Sequence, residues 1–84
     1  MFVKVKSSVF IDALRFQLHN TEDMFLRGIL KDDKGSVCRI MERNIHRDRE
    51  ELVWEGLNDL PYGRYTLELS HGEEELKMQL VKRV

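Results

Sequence analysis

The sequence is poor in the residues that staple small proteins. It holds one cysteine, one proline and one tryptophan in 84 residues. A lone thiol, Cys38, excludes an internal disulfide, and no Cys/His grouping has the spacing of zinc ligands. Packing alone must therefore hold the fold, in a domain small enough that each large apolar residue counts. Charge of one sign is also lacking: 14 Lys and Arg face 15 Asp and Glu, a net charge of −1. This removes the broad electrostatic pull toward nucleic acid or anionic lipid. No apolar run is long enough for a membrane-spanning helix. The first eight residues alternate apolar residues with lysine where a signal peptide would have an unbroken apolar core. A cytoplasmic location is expected if the chain is complete, and an exported or cell-surface location if it is a piece of secreted cargo.

What is abundant is alternation. Period-2 patterning marks strands with one buried and one wet face. Tyr65, Leu67 and Leu69 share one face of the stretch 64–70, opposite Arg64, Thr66 and Glu68. His71-Gly72-Glu73 supplies a turn, after which Leu76, Met78 and Leu80 alternate with Lys77 and Gln79, completing a predicted hairpin. Leu14, Phe16 and Leu18 define another half-buried strand, followed by a predicted turn over 20–23. The stretch 24–31 is apolar on both faces, and Asp32-Asp33-Lys34-Gly35 closes it with a glycine suited to positive φ. The return strand, 36–41, is expected to send Val37 and Ile40 toward the core.

The pattern fails over 42–51, where Ile45 is the one apolar residue among nine polar ones. This stretch reads as a loop or an excursion along a sheet edge, with one helical turn possible through Arg47 and Glu51. Leu52-Val53-Trp54 resumes a short strand, with Trp54 expected in the core. Residues 56–63 form a turn-rich connection in which Pro61 presets one turn position, Gly63 closes the turn, and Tyr65 enters the next strand facing inward. Six or seven strands with frequent turn signals predict a single all-β domain over 1–84, a small antiparallel β-sandwich.

Catalytic and metal chemistry find little support in the sequence. His19, His46 and His71 sit in three different predicted elements, so no metal site is expected. No histidine with a third orienting group marks Cys38 or a serine as a nucleophile. The five glycines are dispersed, which leaves no phosphate-cradling loop. The arginines of 43–49 are neutralised locally by Glu42, Asp48, Glu50 and Glu51. The expectation is a non-enzyme with no cofactor, no nucleic-acid contact and no membrane insertion.

One tract has a family character. Leu57 to Leu67 contains Leu60-Pro61-Tyr62-Gly63-Arg64-Tyr65, followed by Gly72 and the strand Lys77 to Lys82. This arrangement resembles the C-terminal sorting domain of type IX (Por) secretion cargo in Bacteroidetes. The upstream strand Ala13–His19 and the Asp32-to-Gly35 turn fit the same pattern, so the resemblance covers about 9–84. Pro-x-Gly-x-Tyr before a last hairpin also occurs in other small sandwich modules, and the Tyr-Pro-Asn-Pro-like start of the sorting family is replaced here by Ser7-Ser8-Val9-Phe10.

The resemblance implies a small immunoglobulin-like antiparallel β-sandwich that serves as a non-catalytic sorting or surface-attachment module, with secretion machinery of the outer membrane as its protein partner. It carries over Pro61, Gly63, Tyr65 and Gly72 as motif residues, and Lys77 and Lys82 as candidates for recognition on a solvated strand. The alternative is a stand-alone interaction domain that binds a protein through a sheet edge or through the charged segment 43–51.

Overall fold

A computed structural model describes residues 3–19 and 22–83. Eight strands make up two packed sheets: β1 (Val3–Val5), β2 (Val9–Phe10), β3 (Leu14–Leu18), β4 (Met24–Asp32), β5 (Val37–Ile45), β6 (Glu51–Trp54), β7 (Gly63–His71) and β8 (Glu74–Lys82). The smaller sheet has the order β1-β3-β6 and the larger β2-β8-β7-β4-β5. All pairings are antiparallel except that of β2 with β8. The chain changes sheets between β1 and β2, where the Ser7 hydroxyl donates to the carbonyl of Val9 and accepts from its amide. Consecutive strands thus divide between two sheets in the order of an immunoglobulin-like sandwich.

The alternation seen in the sequence is what builds the interior. Leu14, Phe16 and Leu18 of β3, with Leu52 and Trp54 of β6, face Leu26 and Leu30 of β4, Leu67 and Leu69 of β7 and Leu80 of β8. Leu57 and Leu60, from the connection between β6 and β7, are buried with them. Gly28 lies in the middle of β4, and a Cβ built there would meet Trp54, Leu69 and Met41 at 3.2–3.3 Å. A glycine at this point lets the single indole approach the opposite sheet closely.

Both predicted hairpins form. In the first, Asp32 N donates to Ser36 O, Gly35 N returns to Asp32 O, and the Asp32 carboxylate accepts from the amides of Lys34 and Ser36. Gly35 has φ +84°, as the turn requires. In the second, a two-residue loop at Gly72-Glu73 joins His71 to Glu74.

Three sequence expectations are corrected and one is narrowed. The described residues form eight strands against the six or seven expected, β2 being the additional one. Residues 42–45, read as a loop or an excursion along a sheet edge, take the second form: they extend β5 at the edge of the larger sheet, with Ile45 pairing Met24 and buried in the core. No helical turn forms over 46–50; Arg49 N bonds His46 O in a simple turn. Val37 and Ile40 point outward, 53% and 52% exposed. The reason is a bulge. Leu30 pairs Arg39 while Lys31 pairs Val37, so Cys38 is an extra residue that reverses the side-chain parity between Val37 and the rest of the strand. Inward positions pass instead to Met41 and Ile45, and Ile40 pairs Ile29 on the outer face.

Candidate functional site

Three of the motif residues meet at one corner. The connection from β6 turns at Leu57 to Leu60, where Leu60 N bonds Leu57 O, and rises into β7 at Gly63, whose φ is +137°. Two residues on, Tyr65 is buried and its hydroxyl donates to the carbonyl of Pro61 at 2.7 Å. A tyrosine at the start of this strand, tied back to the preceding connection, is a packing device of immunoglobulin-like sandwiches. Its ring lies edge-on to Phe10 at 6.0 Å. Burial pushes the phenol above its ordinary range, with Cys38, Asp32 and Asp33 adding to the rise. Gly72 belongs to the far end of β7, roughly 25–30 Å away at about 3.3 Å per residue.

The two lysines do not form one surface. Lys77 stands on the outer face of β8, where it and Lys31 flank Glu68 at 3.8 and 3.0 Å. Lys82 is five residues further, on the opposite face, and is 3% exposed. Its ammonium donates to the carbonyl of Arg83 and lies 5.4 Å from the ring centroid of Tyr62. The expectation that Lys82 occupies a solvated strand face is therefore corrected. An odd separation along a strand places two side chains on opposite sides.

The charged segment 43–51 is tied down at several points. Arg47 N donates to the Asp23 carboxylate, Arg49 Nε to the carbonyl of Glu51, and Asp48 N approaches His46 Nδ1 at 3.3 Å. His71 is elsewhere, with Nδ1 3.3 Å from the carbonyl of Phe25. Among the described residues, no group of three or more His, Cys, Asp or Glu side chains could hold a metal ion. Among the same described residues, no helix is long and apolar enough to cross a membrane.

The surface feature that the sequence located only in part, as a sheet edge or the charged segment 43–51, is the rim of β5. This strand ends the larger sheet, so it pairs with β4 on one side, and among the described residues no strand pairs with it on the other. At nine residues it far exceeds the other sheet rims, which have two residues in β2, three in β1 and four in β6. Beside this rim the outer face carries Val37, Ile40 and Phe25, all exposed, with Ile29 between them. Arg39 anchors the start of β5 through two 2.7 Å bonds to the carboxylate of Asp59. The available signal was the pair Ile29 and Ile40, which becomes an outer pair only once the bulge is known.

The sequence matches no protein-family model and no curated protein.

Proposed function

We propose that this domain is a non-catalytic protein-interaction module whose docking element is the open rim of β5. The observation that carries this reading is the coincidence of a nine-residue strand whose outer side has no strand partner among the described residues with exposed apolar side chains on the adjoining face. A long exposed rim is a template for strand addition, in which the backbone supplies affinity and alternate side chains supply selectivity. Sandwiches that do not use such a rim commonly cover or shorten it. The test is a photo-crosslinking amino acid placed at Ile40 in living cells, with the same group at Gln79 on the outer face of β8 as control. Discrete protein adducts from position 40 alone support the reading. Adducts of equal yield from both positions, or none from position 40, reject it.

A second reading makes the partner the type IX translocation machinery. It is favoured by the corner at Pro61, Gly63 and Tyr65, where the tyrosine hydroxyl bonds the Pro61 carbonyl, and by the exposed Lys77 on the last strand, positions that the sequence resemblance carries over. Residues 9–84 fused behind a signal peptide and a fluorescent reporter should then reach the surface or medium of a type IX-competent Bacteroidetes host. A folded reporter that stays in the periplasm rejects sorting.

A further inference from the structure

The ladder of β5 fixes which of its residues face the open side. The hairpin bond from Asp32 N to Ser36 O sets the ladder, and the bulge at Cys38 resets it once. Antiparallel alternation then turns the N–H and C=O of Met41, Arg43 and Ile45 toward β4, and those of Ile40, Glu42 and Asn44 toward the open side. The side chains of these last three residues lie on the outer face, paired with Ile29, Arg27 and Phe25 respectively. An added strand therefore meets an apolar position, an anionic position and a polar position in succession.

A second copy of this chain is a poor occupant in the four registers centred on residues 40 to 43. A two-fold pairing centred on residue 42 sets Glu42 against Glu42. Centring on 41 sets Arg39 against Arg43, and centring on 43 sets Arg43 against itself; like charges directly opposite are destabilising. Centring on Ile40 avoids these clashes but runs Glu42 onto Cys38, where the bulge has broken the rim. Each of these registers is blocked by a charge or by the bulge, which is how natural sheet rims resist self-association.

We infer that the β5 rim binds an extended segment of a different protein, one that places Lys or Arg opposite Glu42 and an aliphatic residue opposite Ile40. This rests on the strand-addition reading above and adds the partner's chemistry. Glu42 would lie about 5 Å from the incoming side chain's strand, whereas Arg27 is one strand further, at about 10 Å. That exceeds the Debye length of about 8 Å at physiological salt, so Glu42 dominates the local preference. Arg39 and Arg43 are on the other face of the sheet.

The test uses two synthetic heptapeptides, Thr-Val-Thr-Lys-Thr-Val-Thr and the same peptide with Glu in place of Lys, titrated into the whole labelled chain by NMR. The sequence is symmetric about its centre, so valine meets Ile40 whichever way the strand runs. The lysine peptide should shift the amides of Ile40, Glu42 and Asn44 and bind about fivefold or more tightly than the glutamate peptide. Glu42→Lys, an exposed change, should reverse that order. Equal binding of both peptides at the rim overturns the charge inference and leaves strand addition standing. If neither peptide perturbs β5 and position 40 gives no crosslinks, both fail. Sedimentation should show a monomer, and a dimer lost on Ile40→Lys would overturn the exclusion of self-pairing.

Discussion

Gly28 and Trp54 are packed so closely across the sandwich that a Cβ on Gly28 would lie 3.2 Å from Cζ3 of the indole. The glycine is needed for space, since φ there is not positive. Gly28→Val should destabilise by about 1–3 kcal/mol through overpacking, and Trp54→Ala by roughly 3–5 kcal/mol through the cavity it leaves. Chemical denaturation followed by circular dichroism measures both. A Gly28→Val variant as stable as the parent would show that the sheets can separate without cost.

At the corner, two effects are separable. Tyr65→Phe removes one hydrogen bond to Pro61 while keeping the ring, and should cost about 1 kcal/mol. A Cβ at Gly63 would meet no atom within 4 Å, so the cost of Gly63→Val is put down to backbone strain at φ +137°. We expect Gly63→Val to lower the denaturation midpoint more than Asn58→Ala. Equal midpoints would show an ordinary conformation at Gly63.

The two lysines of the last strand should behave oppositely. Lys77→Glu changes an exposed side chain and should stay within about 0.5 kcal/mol of the parent. Lys82→Glu puts a carboxylate into a site built around an ammonium and should cost about 3–5 kcal/mol. Matching thermal melts for the two variants would contradict the buried position of Lys82.

Acid should weaken the fold through two carboxylates. Glu51 is held below the ordinary range first by its hydrogen bond to Lys6, at 2.6 Å, with Arg15 adding to it. Glu68 is lowered first by its hydrogen bond to Lys31, with Lys77 adding. A carboxyl depressed in the folded state contributes stability above its unfolded value of about 4.3, and that contribution is lost as pH falls through the folded value. The Glu51→Gln, Glu68→Gln double variant should therefore lose less stability between pH 5 and 3 than the parent. Identical acid profiles would show that neither pair matters. Tyr65 acts at the other end: its raised value means that stability falls as pH climbs above about 10.

Most of the sandwich was legible because alternation and burial coincide. The faces Leu14-Phe16-Leu18 and Tyr65-Leu67-Leu69 form as their spacing predicts, as do the turns at Gly35 and Gly72. The rim of β5 was legible only as a possible sheet edge, for two physical reasons. Its outer half, Glu42 to Asn44, is polar because a rim strand has water on more than one side, and this erases the alternation that marks a strand. Its inner half contains a bulge at Cys38, and a single extra residue exchanges inward for outward positions. Lys82 was misplaced for a simpler reason: composition labelled it wet, while parity with Leu80 placed it inside.

Amide hydrogen exchange along β5 tests the open rim most directly. In the isolated chain, Ile40, Glu42 and Asn44 should exchange quickly, while Met41, Arg43 and Ile45, bonded to β4, should be protected, giving an alternation with a period of two residues. Uniform protection of all six amides would mean that the rim is already covered, and would contradict its assignment as the docking element.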